Sequence, residues 1–302
     1  MSHNTLILAH YYTDPKVKQM ADFVGDSLEL AKVAKNSTQH RIVFAGVKFM
    51  AESVKILSPN KEIILPHADS TCSLVEQTDV SKLIKFKNDN PDYLLVSYIN
   101  CSAEQKAISD WIVTSANVVS IVQHLTSKGH KILFANDRNM GNYLNQQFDL
   151  GMKVWSSVCI VHDAFKLEEL NKAFNEWTEA PQYLIAHPES PLPILNRANF
   201  VGSTSKMLDW IKNFPHKIGT IYVATEEGLL YDMRKIRPEL DIRQAPMYSG
   251  CNCQVCPYMR LNTPELVKKA IDGDAGIVID YLTNDILERA RLPLERMMSF
   301  KA

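Results

Sequence analysis

The same succession of residues comes round three times at a nearly constant interval. An apolar run ending in polar side chains occurs as TLILAHYY, YLLVSYIN and YLIAHPES, so that His10, Tyr98 and His187 lie 88 and 89 residues apart. A second run leads into a hydroxyl-bearing turn and a helical pattern in DFVGDSLELA, WIVTSANVV and NFVGSTSKML. Ser27, Ser115 and Thr204 are again 88 and 89 apart. A third set, RIVFAG, KILFAN and TIYVAT, puts Ala45, Ala135 and Ala224 at separations of 90 and 89. The fourth set, EIILPHADSTC, GMKVWSSVC and DIRQAPMYSGC, carries Cys72 and Cys159, 87 apart. Any chain of alternating strands and helices offers stretches to align, but not at one fixed offset.

Each repeat holds about four short runs rich in Val, Ile, Leu and Tyr, separated by helical patterns such as VKFMAESVKIL and SKMLDWIKNF. Alternation of this kind predicts parallel sheets joined by right-handed crossovers. The predicted fold is therefore α/β. It has three homologous small αβα domains with parallel four-stranded sheets, arranged about a pseudo-threefold axis. The expected bounds are 1–88, 89–178 and 179–302, the last including the tail LPLERMMSFKA. No Gly/Ser-rich or Pro-rich linker separates them, so tight packing is expected.

Of the 302 residues, 46% are hydrophobic and 22% charged, with a net charge of −1. Such a balance suits a soluble globular protein and supplies no general field for nucleic acid or an anionic membrane. An anionic ligand must be held by local devices. The opening MSHNTLILAHYY is too short in apolar residues for a signal core, and no later run reaches membrane-spanning length. A cytoplasmic location is expected, where thiols stay reduced.

Ligands of open parallel sheets bind at the carboxyl ends of the strands. His10, Tyr12, Tyr98, Asn100, His187 and Glu189 follow the first run of each repeat, and Ser27, Ser115 and Thr204 follow the second. If the three units face one another, all of these converge on one cavity with the cysteines. Cys72 and Cys159 occupy equivalent places, and the third repeat offers Cys251, Cys253 and Cys256. From Ser27 to Cys72 is 45 residues and from Ser115 to Cys159 is 44, while Thr204 to Cys251 is 47 and to Cys256 is 52, so spacing favours Cys251. One thiolate per unit suits an iron–sulfur cluster with one iron left open, or zinc with three thiolates and a water. Either would leave a Lewis-acid position. The rival arrangement is that CNCQVC binds a metal by itself, although it lacks a nearby histidine or fourth cysteine. Cys101 has no counterpart in the other repeats and is expected to be structural.

Each hydroxyl at a helix start is, taken alone, an N-cap worth about 1 kcal/mol. Three at matching places around one cavity point instead to a phosphate or carboxylate site built on helix N-termini. His10, Tyr12, His187 and Glu189 supply acid–base capacity. His3, His40, His124, His130 and His216 fall in polar contexts and carry no such case.

The strings LAHYYTDPKVKQMADFVGDSLELA, FAGVKFMAESVKIL, CSLVEQ, SYINCSAEQKA, VTSANVV, CIVHDAF, AHPES, VGSTSKML, VATEEGLL and CPYM resemble the quinolinate synthase (NadA) family almost end to end. The resemblance implies a [4Fe–4S] cluster held by one cysteine from each of three α/β domains. By motif these are Cys72, Cys159 and Cys256, the last being the cysteine before PYM, against the spacing preference for Cys251. It implies iminoaspartate (iminosuccinate) and dihydroxyacetone phosphate as substrates, condensed to quinolinate with loss of phosphate and water in NAD biosynthesis. It also implies a functional link to an L-aspartate-oxidising enzyme that supplies the imine. The implied substrate contacts are His10, Ser27, Tyr98, Asn100, Ser115, His187, Glu189 and Thr204. The implied catalytic groups are Tyr12, His187 and Glu189. Two departures stand out: Arg138 where many relatives carry lysine, and Cys101 where threonine is frequent. CNC also leaves a single residue between Cys251 and Cys253, unlike the regulatory thiol pair of some relatives.

Two other functions share parts of this pattern. One is an iron–sulfur hydro-lyase acting on another small polycarboxylate, which needs no phosphate pocket. The other is a non-catalytic, zinc-stabilised protein that binds an anionic metabolite.

Overall fold

The computed structural model describes residues 5–175, 180–247 and 254–301. Three sheets form in chain order. The first comprises β1 (Thr5–His10), β2 (Phe23–Gly25), β3 (Arg41–Ala45) and β4 (Glu62–Leu65). The second comprises β5 (Tyr93–Tyr98), β6 (Trp111–Val113), β7 (Lys131–Ala135) and β8 (Lys153–Val154). The third comprises β9 (Gln182–Ala186), β10 (Phe200–Val201), β11 (Thr220–Ala224) and β12 (Asp241–Gln244). Their orders are β2-β1-β3-β4, β6-β5-β7-β8 and β10-β9-β11-β12, and all of these pairings are parallel. The α/β architecture in three homologous units is thus as expected, with one addition. A two-residue strand, β13 (Ile277–Val278), joins the outer edge of β4 antiparallel and makes the first sheet five-stranded.

The repeats share hydrogen bonds as well as strand order. In each, the residue fifteen places after a first-strand amide returns to bond it twice. Asp22, Asp110 and Asn199 donate their N–H to the carbonyls of Ile7, Leu95 and Leu184 at 2.9, 2.9 and 2.7 Å. Their side-chain oxygens accept from the N–H of the same three residues at 2.8, 2.7 and 2.8 Å. This clamp sets the second strand beside the first in all three units.

Strands with both faces covered bury near-continuous apolar runs. Ile42, Phe44, Ile132, Phe134, Ile221 and Val223 are almost wholly inaccessible. The first two units share one apolar core, whereas the third has its own on either side of its sheet. Past the third sheet the chain returns to the first two units. The helix Pro264–Asp272 places Val267 and Ala270 against Val43 and Ile64. The sixteen-residue helix Asn284–Ser299, capped by Thr283, packs on the helices Lys48–Leu57 and Ala103–Ile108. Tyr281 just before it donates to buried Glu52 at 2.8 Å, joining the returning segment to the first unit.

Candidate functional site

In a sheet of order 2-1-3-4 the connections run in opposite directions from the first and third strands, which opens a crevice at their carboxyl ends. The three crevices open on one cavity. All twelve side chains singled out from the sequence line it. They are His10, Tyr12, Ser27 and Cys72 from the first unit; Tyr98, Asn100, Ser115 and Cys159 from the second; and His187, Glu189, Thr204 and Cys256 from the third part of the chain. Cys101 does not line it. That thiol is buried beneath, and its carbonyl accepts from the fully buried Lys106 Nζ.

The helix starts divide their labour in a way that single-residue propensity does not foresee. Asp26, not Ser27, caps the helix Ser27–Asn36, and Glu29 reaches back to the Asp26 amide to complete a capping box. Ser203, not Thr204, caps the helix Thr204–Lys212. The hydroxyls of Ser27 and Thr204 are therefore not consumed in capping. Ser115 stands in a turn ahead of the helix Val118–Ser127 rather than at its first residue, because the Asn117 side chain accepts from the Thr114 amide at 2.8 Å. The first and third helix starts are tied together, since Ser205 Oγ donates to Asp26 Oδ2 at 3.0 Å.

The cysteines sit on three copies of one turn. The amides of Lys48, Arg138 and Glu227 donate to the carbonyls of Ser70, Ser157 and Gln254 at 2.7, 2.8 and 3.0 Å, and each acceptor lies two residues before a cysteine. The amides of Glu76, Asp163 and Arg260 then donate to the carbonyls of Cys72, Cys159 and Cys256 at 3.1, 2.9 and 3.2 Å. Each cysteine thus opens a single helical turn, and Cys256 is the structural counterpart of the other two. Constant spacing pointed to Cys251 because the loop beyond β12 is longer than its equivalents. Cys251 and Cys253 lie outside the described residues.

Burial pushes all three thiols up, that of Cys256 to about 12. The backbone N–H groups of Leu74 and Val75 draw the Cys72 thiol back down, and those of Met259 and Tyr258 act likewise on Cys256. Buried thiolates with N–H groups aimed at them are stable only beside a compensating cation.

Glu189 is the charged centre of the cavity. Tyr98 Oη donates to its Oε1 at 2.7 Å, and His162 Nδ1 lies 3.1 Å from its Oε2. Burial works against its charge, but His162, His187 and the Tyr98 phenol together hold it well below the usual carboxylate range. His10 and His187 go the other way, burial lowering each to about 3, so both rings are neutral. Their Nδ1 atoms accept from the amides of Tyr12 and Glu189 at 3.2 and 3.4 Å, which leaves the proton on Nε2. Burial raises the Tyr12 and Tyr98 phenols far above their ordinary value, so both remain neutral.

Four cavity or near-cavity residues were not singled out from the sequence: His162, Thr225, Asn139 and Glu226. His162 Nε2 lies 3.0 Å from Thr225 Oγ1, which lies 2.8 Å from Tyr12 Oη. Asn139 Nδ2 donates to Asp163 Oδ1 at 2.8 Å and to the Glu189 carbonyl at 3.0 Å, linking the Cys159 turn to Glu189. Glu226 Oε1 accepts from the Cys256 amide at 3.1 Å and its Oε2 from the Gly228 amide at 2.6 Å. His162 occupies the place held by Val75 and Met259 in the other units, so the repeat itself gave no polar signal there. Thr225 and Glu226 directly follow the Ala224 landmark and could have been found by extending it. Arg138 points its guanidinium toward Asp163 at 3.5 Å, on the outer side of the Cys159 turn.

Cys159, His162 and Glu189 form a group whose donor atoms all lie within 4.8 Å of one another, close enough to hold a metal ion. No helix among the described residues is long and apolar enough to cross a membrane.

The sequence matches the family described as quinolinate synthetase A protein, NadA, over residues 1–299. It is 41% identical over 295 residues to quinolinate synthase of Nostoc punctiforme, covering 98% of this chain and 89% of that one. It is 40% identical over 299 residues to that of Prochlorococcus marinus, with 99% and 87% covered. It is 41% identical over 295 residues to that of Cyanophora paradoxa, with 98% and 88% covered. With matches spanning the whole chain and a cavity that gathers the residues of the shared motifs, the chain belongs to the quinolinate synthase (NadA) family of enzymes.

Proposed function

We propose that the chain condenses iminoaspartate with dihydroxyacetone phosphate to quinolinate, releasing phosphate and water, in cytoplasmic NAD biosynthesis, and that Cys72, Cys159 and Cys256 hold a [4Fe–4S] cluster. The observation that carries this reading is the threefold cysteine turn, with one sulfur from each turn lining one cavity that also holds Glu189 and two helix starts. The donor set fits the cluster. The sulfurs are free thiols, desolvation opposes their ionisation in the absence of a cation, and backbone N–H groups draw all three back down. Three protein ligands leave one iron uncovered, and when bound such a cluster supplies a Lewis acid for loss of water.

The chain's own residues bind, orient and move protons. Ser27 and Thr204 offer hydroxyls at helix N-termini, where free N–H groups favour phosphate and carboxylate. Ser115 and Asn100 add polar contacts from the second unit. The neutral rings of His10 and His187 present Nε2–H as donors to substrate oxygens. Glu189, ionised and backed by Tyr98, accepts hydrogen bonds from substrate N–H or O–H groups, and it acts as a base once bound substrate displaces the His162 contact that holds its carboxyl down. Tyr12, Thr225 and His162 form a hydrogen-bonded run along which a proton passes between Tyr12 Oη and His162 Nε2. Val47, Phe49, Met50, Ile99 and Met259 line the remaining wall and keep bulk water out. Imines hydrolyse in water, so iminoaspartate must be delivered fresh, which supports a functional link to an L-aspartate-oxidising enzyme.

The test is anaerobic purification followed by assay. Brown protein with about four irons and matching sulfide per chain, turning over dihydroxyacetone phosphate with freshly made iminoaspartate, is the expected result. Iron and sulfide without quinolinate formation would favour a hydro-lyase. A protein that stays colourless and takes up neither iron nor sulfide on anaerobic reconstitution of the metal-stripped chain would exclude both.

A further inference from the structure

We propose that in the cluster-free chain Cys159, His162 and Glu189 bind one divalent transition metal such as zinc, at a mononuclear site that shares Cys159 with the three-cysteine centre. His162 Nδ1 lies 3.2 Å from Cys159 Sγ and 3.1 Å from Glu189 Oε2. A tetrahedral zinc with bonds of about 2.0–2.3 Å spaces its ligands roughly 3.3–3.7 Å apart. The two pairs that include His162 therefore need only open by a few tenths of an ångström, and all three donor atoms already lie within 4.8 Å of one another. Thiolate, imidazole and carboxylate together are a donor set that zinc and cobalt favour.

The outer contacts are already those of a metal site. A coordinated histidine is oriented by a hydrogen bond at its other ring nitrogen, and a coordinated carboxylate by one at its free oxygen. His162 Nε2 has Thr225 Oγ1 at 3.0 Å, and Thr225 in turn has Tyr12 Oη at 2.8 Å. Glu189 Oε1 takes the Tyr98 hydroxyl at 2.7 Å, leaving Oε2 facing His162. The His162 and Glu189 side chains are 2% and 5% exposed, so little water competes for them. All three residues line the cavity. Cys72 and Cys256 are not needed, which separates this site from a three-thiolate one. Cys159 cannot serve both at once, so a metal here and a cluster on the three cysteines exclude each other.

The decisive experiment titrates the full-length, cluster-free, reduced chain with cobalt(II) alone and follows its absorption. One equivalent should bind, with a sulfur-to-cobalt charge-transfer band and the intense visible bands of four-coordinate cobalt. Cys72→Ser and Cys256→Ser should leave both features intact. Cys159→Ser should remove the charge-transfer band, and Glu189→Gln and His162→Gln should remove tight binding. Tyr98→Phe should weaken binding by about 10–100-fold, as loss of an outer hydrogen bond does. Circular dichroism of each variant establishes that it is folded, and the isosteric Glu189→Gln keeps the test open should Cys159→Ser fail to fold. Loss of binding in Cys72→Ser or Cys256→Ser, or no cobalt uptake by the folded wild-type chain, would overturn the proposal. Because no iron is used, this outcome is independent of whether the cluster assignment stands.

Discussion

Tyr98, the last residue of β5 in the second unit, donates its phenol to Glu189 of the third unit at 2.7 Å, across the cavity that the units share. Both groups are buried, and the bond is charge-assisted. Such a bond contributes about 1.5–3 kcal/mol. Tyr98→Phe should therefore lower kcat by roughly 10–100-fold and the melting temperature by several degrees, while leaving iron content close to wild type. Steady-state kinetics beside metal analysis would check this. An equal loss of iron would make Tyr98 a structural residue instead.

Capping and ligand binding can be separated at the helix starts. Asp26→Ala removes the acceptor for the Leu28 and Glu29 amides, and should destabilise the fold by about 1 kcal/mol. Ser27→Ala and Thr204→Val remove hydroxyls that cap nothing. They should leave the melting temperature unchanged and raise KM by roughly threefold to tenfold, the worth of about one hydrogen bond.

The third metal ligand is settled by two serine substitutions. Cys256→Ser should abolish iron and sulfide retention, as should Cys72→Ser and Cys159→Ser, whereas Cys251→Ser should keep both. The reverse pattern for Cys251 and Cys256 would restore the ligand that spacing favoured.

Stability should respond to pH through His10 and His187. Their native pKa values, about 3, lie below the ordinary 6.5, so between these values the unfolded chain binds more protons than the native one. Stability then rises with pH across that window and is lost as pH falls through it. Each ring contributes a slope of about 1.4 kcal/mol per pH unit at its steepest. Glu226 opposes this between 4.5 and about 7, because burial raises its carboxyl. The informative comparison is accordingly between proteins: His10→Gln should show a shallower fall in melting temperature than wild type on acidification from pH 6.5 to 4.

Gly228 marks a close approach of the first and third units. A Cβ there would stand 2.7 Å from Glu226 Oε2, 2.9 Å from the Tyr11 carbonyl and 3.0 Å from the Tyr12 Cα. Nearby, Lys18 Nζ donates to the Gly228 carbonyl at 2.9 Å and to Asp232 at 2.6 Å. Gly228→Ala should push the Tyr12 loop from the cavity, lowering the melting temperature and kcat together. An unchanged kcat in a folded variant would show that Tyr12 tolerates the shift.

The three units and their parallel strands were legible because apolar runs recur at one offset, a signal that survives divergence of individual residues. His10, Ser27 and Cys72 were legible for the same reason, since each has a partner at the same place in the other units. His162 was not, because its counterparts Val75 and Met259 are apolar and only the fold brings its ring to Glu189. The capping roles were displaced by one residue, to Asp26 and Ser203, because a hydroxyl at a helix start looks the same in sequence whether or not it is the cap. The return of β13 to the first sheet left no trace either, for two residues at a sheet edge carry too little pattern to be read.

The clamp that Asp22, Asp110 and Asn199 make with their first strands has been kept in all three units, while the residues at the strand tips have diverged into His-x-Tyr, Tyr-x-Asn and His-x-Glu. Ancestral scaffold and modern specialisation are thus written in separate parts of the same element. No third of this polypeptide could now stand in for another, and a shortened or split descendant would inherit the architecture without the chemistry.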